Sequence, residues 1–301
     1  MTSKLLLKIY LGAVLAKLHP KKTALIRQEF TLPSYNSGLS DGLTERLIRC
    51  HMGHKALRSV DGKGLEELHR DFWKNQSAWY ERTYQRFMQR HFPLLKTHIN
   101  TLEKLINEHQ TQTICEIGTG NGYWIAYMQK QLHNAERFVG IDLSSSQIVV
   151  NRDRYPDVEF VDGDANAWIH EHGVRNTLYV VNGGVFEYFH RTSLQALFAT
   201  IASSGSGNLL AIFNEPLGEH HDLENDIESY PNDVEYSTSH NYPHLILQAG
   251  FTILSQHISD EVGYRALTLL ARPRTELMSE SSAQNKSESI SVTCAGKLMI
   301  A

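Results

Sequence analysis

Cysteine is scarce in this chain: Cys50, Cys115 and Cys294 are the only three in 301 residues, far apart and without a CxxC pair. That spacing argues against a disulfide framework and against zinc or dithiol redox chemistry, so a reducing, cytoplasmic setting is expected. A large charge of one sign is lacking too. The formal net charge is −4 and the isoelectric point about 6.5, whereas nucleic-acid binders generally carry a basic domain or stripe, so DNA is not an expected partner. Nor is there a long unbroken apolar run. The best candidate, residues 5–18, is interrupted by Lys8 and Lys17. It falls short of the roughly 20 apolar residues of a spanning helix and lacks the unbroken core and cleavage site of a secretory signal. An amphipathic helix packed on its own protein is the expected form, with peripheral attachment to a membrane surface the lesser alternative and stable insertion not expected.

Hydrophobic residues at 41% and charged residues at 21% match ordinary globular usage. Three zones follow one another. Residues 1–105 read as a helical, basic N-terminal region, 106–273 as the principal domain, and 274–301 as a polar, flexible tail too poor in apolar residues to offset its ordering entropy. Within the N-terminal region Phe72, Trp73, Trp79, Tyr80, Tyr84, Phe87 and Met88 recur at a spacing that suits a long helix ending before Pro93. Such a stripe is either core or a lid whose aromatic side chains close over a ligand. On the lid reading Trp79, Tyr80 and Tyr84 contact substrate.

In the principal domain five apolar runs, 113–117, 137–141, 158–161, 177–181 and 209–213, alternate with helix-length segments. This is the pattern of βαβ units and a parallel sheet. Trp124, Ile125, Met128 and Leu132 share one helical face, as do Leu194, Leu197, Phe198 and Ile201. Pro243 suits the first turn of a further helix and Gly250 its stop, after which 251–254 and 264–271 read as two more strands. The expected fold is α/β, a Rossmann-like, seven-stranded, mostly parallel sheet with helices on both faces, preceded by the helical extension.

The first strand turns into the first helix through Glu116-Ile117-Gly118-Thr119-Gly120-Asn121-Gly122, with the helix expected to begin near Asn121. Ligands of open α/β sheets bind at this carboxyl edge, where glycines admit a close backbone approach and the helix start offers unpaired N–H groups. A dinucleotide fingerprint GxGxxG would need its third glycine at the position of Tyr123, so that reading is disfavoured. Asp142 closes the second strand, twenty residues past Gly122, where a carboxylate can accept from both hydroxyls of a ribose. Asp164 closes the third, where it can accept from an adenine amino group beside the N–H of Ala165. Taken singly, Glu116, Asp142 and Asp164 are each also readable as turn formers or helix caps.

With these residues in register the sequence resembles the class I S-adenosylmethionine-dependent methyltransferases, whose first motif is an acidic residue two before a GxGxG turn. The resemblance covers residues 111–271. It implies S-adenosyl-L-methionine as cofactor, with Glu116 near the methionine amino group and Gly118, Thr119, Gly120 and Gly122 around the cofactor. It further implies Asp142 and Leu143 at the ribose, Asp164 and Ala165 at the adenine, and Asn182 at the end of the fourth strand.

Methyl transfer is an in-line displacement, so the protein must align the acceptor and, for an alcohol or protonated amine, take up a proton. The segment after the fourth strand, from Asn182 through Glu187 and Tyr188 to His190, lacks the [ND]PP[YF] sequence of enzymes that methylate planar amide or exocyclic nitrogens. Asn214-Glu215-Pro216 does not resemble the Asp-Asn pair of magnesium-dependent catechol methyltransferases. His220, His221, Asp222 and Glu224 are too nearly adjacent to converge on one ion, and no metal is expected. Candidate general bases are His240, His244, Glu215 and Glu187, with Glu187 and Tyr188 also read as substrate contacts. The expected activity is metal-independent methylation of an O or N atom of a small molecule. A non-catalytic scaffold subunit and a protein or RNA methyltransferase are the alternatives, and the oligomeric state is left open.

Overall fold

The computed structural model describes residues 3–28, 42–59, 62–74, 96–173, 175–232, 237–260 and 264–274. The N-terminal region contributes α1 (Ser3–Leu18), α2 (Pro20–Gln28), α3 (Leu43–Leu57) and α4 (Gly64–Trp73), followed by α5 at 96–109. Then come β1 (Thr113–Ile117), α6 (Tyr123–Gln131), β2 (Arg137–Asp142), α7 (Ser145–Arg154), β3 (Glu159–Asp162), α8 (Ala165–His172) and β4 (Thr177–Asn182). A 3₁₀ turn (Phe186–Tyr188) leads to α9 (Arg191–Ser203) and β5 (Leu209–Pro216). A small hairpin, β6 (Tyr230–Asn232) with β7 (Ser237–Ser239), precedes α10 (Tyr242–Gln248), β8 (Phe251–Ser259) and β9 (Ala266–Pro273).

Seven strands form one sheet in the order β3-β2-β1-β4-β5-β9-β8, with β1 to β5 parallel and β9 antiparallel between β5 and β8. The expected sheet is therefore present. Side chains alternate across it into two cores. Ile114, Phe138, Phe160, Leu178, Val180 and Ala211 pack beneath α5 and α6. Cys115, Val139, Ile141, Tyr179, Val181, Leu210 and Ile212 pack beneath α8, α9 and α10. The parallel strands are buried on both faces, which is why they read as continuous apolar runs. The order reverses direction at β1, so the crevice between the ends of β1 and β4 is the topological switch point where such sheets bind ligands.

Several local expectations shift. The helix after the glycine loop starts at Tyr123, two residues later than Asn121, because Gly122 sits in the left-handed region as its cap and the Asn121 side chain accepts from the Tyr123 N–H instead. Strand β5 runs on to Pro216 past a bulge between Ile212 and Glu215. The aromatic stretch is helical through Trp73, and Trp79, Tyr80, Tyr84, Phe87 and Met88 lie outside the described residues.

The division at 105/106 falls inside α5, whose Ile99, Leu102, Leu105 and Ile106 belong to the core under the sheet. This helix is thus part of the principal domain's packing, and Leu102, fully buried, is its anchor. Leu102→Ala is expected to lower the free energy of unfolding by about 2–5 kcal/mol, the usual cost of emptying a core leucine site. Urea denaturation followed by circular dichroism measures this, and a loss well below that range would mean that α5 is not fused to the core.

Candidate functional site

The turn from β1 into α6 is made of backbone that side chains could not follow. Gly118 and Gly122 both have φ of 73°, and a Cβ on Gly118 would approach Val185 to 2.7 Å while one on Gly122 would approach the Phe160 ring to 2.8 Å. The glycines therefore answer to two constraints at once, left-handed geometry and near-contact with neighbouring elements. The turn is moored to the end of β2. Gly118 and Thr119 donate their N–H groups to the Ile141 carbonyl, and Gly120 N–H donates to Asp142 Oδ2 at 2.8 Å. Asp142 Oδ1 accepts from Ser144 N–H at 2.9 Å, so one buried carboxyl joins the glycine turn to the start of α7. From α7, Asn151 donates to the Gly120 carbonyl at 2.8 Å and is itself held by Gln147.

Glu116 lies beneath this turn, 3% exposed, with its Oε2 accepting from the Thr119 hydroxyl at 2.6 Å. Burial pushes its carboxyl up to about 8, against the opposing pull of the Thr119 hydroxyl and the Ile125 N–H. Leu143, half-buried, follows Asp142 at the rim.

Asp164 has a different occupation from the expected adenine contact. Its Oδ1 accepts from Ala167 N–H as the cap of α8, and its Oδ2 accepts from Arg70 of α4 at 2.7 Å. An adenine amino group would compete with Arg70 for this carboxylate. The same helix α4 reaches the opposite lip of the crevice. Glu66 Oε2 accepts from the His190 N–H at 3.0 Å and the Ser193 hydroxyl at 2.7 Å. His69 and Trp73 pack on the Tyr188 ring, with centroids 4.7 and 5.4 Å away. Helix α4 thus bridges the loops after β3 and β4.

At the ends of β4 and β5 a second polar group collects. Asn214, at the bulge, has φ of 54°, a conformation asparagine tolerates better than most residues. Its amide donates to Asn182 Oδ1 at 3.1 Å and lies 3.5 Å from Nε2 of His98, whose ring stacks on Phe213. An amide N–H directed at Nε2 requires the neutral imidazole with its proton on Nδ1, and burial depresses the His98 pKa to about 4. Beside this group Glu215 is fully buried. Its Oε1 accepts from Glu187 N–H at 2.8 Å and from the Tyr242 hydroxyl at 3.3 Å, and its Oε2 from Val185 N–H at 3.3 Å. Burial raises its pKa to about 7.

The model of a methyltransferase domain matches residues 114–204, the stretch from β1 to the end of α9 that carries the glycine turn, Asp142 and Asp164. Residues 114–204 therefore carry a methyltransferase domain. Solved structures with this fold include magnesium protoporphyrin IX methyltransferase of Synechocystis with bound SAH, 13% identical, covering 70% of this chain and all (100%) of that one at a TM-score of 0.50. DesVI of Streptomyces venezuelae is 14% identical over 65% of this chain and 98% of its own, TM-score 0.49. The 1,6-didemethyltoxoflavin-N1-methyltransferase of Burkholderia thailandensis is 17% identical over 66% of this chain and 87% of its own, TM-score 0.44. No curated protein matches the sequence.

In the methyltransferase domain the structure gathers Glu116, Gly118, Thr119, Gly120, Gly122 and Asp142 at one turn, and Asn182, Glu187, Tyr188 and Glu215 at the neighbouring strand ends. It does not bring His240 or His244 to them as bases. His240 is fully buried, with Nδ1 2.7 Å from the Ser229 hydroxyl and Nε2 3.1 Å from the Phe189 carbonyl, and burial drives its pKa down to about 3. Both nitrogens are committed to joining loops, which removes the basicity expected of it. His244 sits in the first turn of α10, a helix packed on β8 and α9, where its backbone N–H is capped by Asn241, and no contact joins its ring to the residues of the strand ends among the described residues. Glu215 binds the backbone of the loop after β4, a mooring role. His221, considered with its neighbours for metal binding, instead places Nδ1 2.8 Å from the Ser239 hydroxyl.

Arg70, Glu66, His98 and Asn214 went unassigned by sequence reasoning. Nothing local marks the first three, which reach the site from the N-terminal region. Asn214 lies in a segment whose sequence shows only a difference from the Asp-Asn pair of metal-dependent enzymes. The Gln147 and Asn151 pair did carry a signal, two amides four residues apart on the buried face of a helix.

The two raised carboxyls make the protein's stability depend on pH. Their folded values, about 8 and about 7, exceed the ordinary 4.5, so between pH 4.5 and 8 the folded state holds more protons than the unfolded state. Their contribution to stability therefore falls as pH rises through that window. Glu116→Gln removes one of them and is expected to flatten the decline in melting temperature between pH 6 and 8. Differential scanning fluorimetry tests this, and a decline as steep as in the parent protein would contradict the assigned burial of the charge.

Proposed function

We propose that this protein transfers the methyl group of S-adenosylmethionine to an oxygen or nitrogen of a small-molecule acceptor, without a metal ion. The observation that carries this reading is the glycine turn held by Asp142 at the switch point, with a ring of neutral polar side chains on the adjoining strand ends. The cradle suits the donor on its own geometry. Gly118 and Gly122 hold a tight left-handed turn packed against Val185 and Phe160 that no side chain could follow, and Glu116 is a buried acid for which a cationic amino group would restore the charged form. When bound, the donor supplies an electrophilic methyl on a sulfonium.

The chain's own residues hold and align. Asp142 accepts the ribose hydroxyls, Glu116 faces the amino group, and the Ala165 N–H at the start of α8 serves the adenine. On the acceptor side Asn182, Asn214 and His98 present amide and imidazole hydrogen-bonding groups. A pKa of about 4 leaves His98 neutral and weakly basic, and with Nε2 facing the Asn214 amide it has only its Nδ1–H to offer, so it orients the acceptor as a donor instead of storing its proton. An uncharged amine acceptor needs no stronger base, since its proton leaves to water after transfer. The aromatic lining from α4 and the 3₁₀ turn, Trp73 and Tyr188, favours a flat or apolar acceptor body. Trp79, Tyr80 and Tyr84 are further candidates for that lining. At the end of β5 Asn214 is bonded to Asn182 and Glu215 to the backbone of the loop after β4, which supports a metal-independent reaction.

Asp142→Ala removes a charged acceptor from two ribose hydroxyls at about 1.5–3 kcal/mol per bond, so S-adenosylmethionine affinity is expected to fall at least about a hundred-fold. Isothermal calorimetry measures the affinity, and radiolabelled methyl transfer across a metabolite panel identifies the acceptor. Undiminished binding by the variant would sink the site assignment. Tight binding by the parent with no transfer to any acceptor would sink the enzymatic reading in favour of a scaffold role.

A further inference from the structure

The N-terminal pair α1 and α2 takes no part in the site described above, yet it exposes more apolar surface than any other part of the described chain. Helix α1 turns Leu5, Ile9, Gly12, Ala13 and Ala16 toward the protein, and at Gly12 its backbone meets the Leu47 carbonyl of α3. The opposite side is also apolar. Leu6, Leu7, Tyr10, Leu11, Val14 and Leu18 are exposed, Tyr10, Leu18 and Leu7 by 68%, 67% and 58%. At 100° per residue these six span an arc of about 140°, continuous and facing away from α3. Leu25 of α2 adds to it at 51% exposure.

Charge specifies the occupant. Residues 1–28 contain Lys4, Lys8, Lys17, Lys21, Lys22 and Arg27 and no Asp or Glu, in a chain whose net charge is −4. Lys22 and Arg27 are paired with Glu45 and Asp71. Lys4, Lys8, Lys17 and Lys21 have no ion-pair partner among the described residues. On the helix wheel Lys4 and Lys8 border one edge of the apolar arc and Lys17 lies within the other, so the cations and the apolar face approach a surface together. No described helix is long and apolar enough to cross a membrane. A helix with one side packed on α3, large apolar residues on the outward side and lysines at its boundary is suited to lie along a bilayer.

We propose that the outward face of α1, with the lysines of α1 and α2, docks the protein reversibly on an anionic lipid surface. The apolar residues enter the boundary between headgroups and acyl chains, and the lysine ammonium groups pair with lipid phosphates. The body of the protein, tied through α3, stays in water. This proposal stands on α1 and α2 alone and does not depend on the acceptor or on the donor.

The test is co-sedimentation of the full-length chain with vesicles of phosphatidylcholine alone and of phosphatidylcholine mixed with phosphatidylglycerol. Binding is expected to the mixed vesicles only, and to weaken as salt is raised. The double substitution Leu7→Glu with Leu11→Glu is expected to abolish it. Lys4→Ala and Lys8→Ala, which leave the apolar arc intact, should each lower partitioning about five-fold, the effect of one cation near an anionic leaflet. Circular dichroism and S-adenosylmethionine binding confirm that each variant is folded. Absence of binding to the mixed vesicles, or binding unchanged by the glutamates, overturns the proposal. So does a dimer in solution that the glutamate variant converts to monomer without any vesicle association, which would assign the face to a second copy of the chain.

Discussion

The site depends on how the end of β2 holds the glycine turn. A left-handed, side-chain-free turn has no intrinsic preference for one shape, because glycine loses more freedom on ordering than any other residue. Here three N–H groups of the turn are taken up by β2, two at the Ile141 carbonyl and one at Asp142 Oδ2. Asn151 takes a carbonyl from the other side. The turn is thereby fixed by the strand beside it and the helix that follows that strand, and the opening between β1 and β4 has a defined rim. Asp142 performs this mooring and, on the proposed reading, also meets the ribose, so ordering the loop and preparing the cofactor site become one act of folding.

The buried acids differ in what burial does for them. Glu116 has one hydroxyl donor and one backbone donor set against full desolvation, and desolvation wins, leaving the neutral form favoured near pH 7. On the proposed reading an incoming ammonium group reverses that balance, so a group strained in the empty protein is relieved in the loaded one. Glu215 has more donors around it, from Val185, Glu187 and Tyr242, and its value rises less. Those donors belong to the loop after β4 and to α10, which makes Glu215 the counterpart of Asp142 on the other lip, a carboxyl that shapes a loop through its backbone.

The sheet was legible in the sequence because parallel strands covered on both faces must be apolar along their whole length, and five such runs lie at helix-length spacing. The turn was legible because its requirements are local, three glycines within five residues followed by an acid at the next strand end. The rest of the site was not. Arg70 and Asp164 are 94 residues apart and Asn214 and His98 116, and no local pattern encodes such pairings. Histidine content misled in the same way. His240 stands next to a helix start, as a catalytic base can, but complete burial and two hydrogen-bonded nitrogens make it a joint between loops. His98, outside every motif, is the histidine that reaches the strand ends.

The N-terminal region has two attachments of opposite character. Helix α4 is held inward by Glu66 and Arg70, one to each lip, and this places Phe72 and Trp73 beside Tyr188 where the acceptor reading needs an apolar wall. Helices α1 and α2 carry their free cations on the other side, while the remainder of the chain carries the negative balance. An anionic surface would therefore attract one end of the molecule and repel the rest. The Debye length at physiological salt is about 8 Å, and a helix is about 10 Å across, so lysines on α1 would feel the surface while charges behind α3 are largely screened from it. Only the orientation with α1 at the surface combines attraction with burial of the exposed leucines, so docking by this face would fix the direction in which the protein stands.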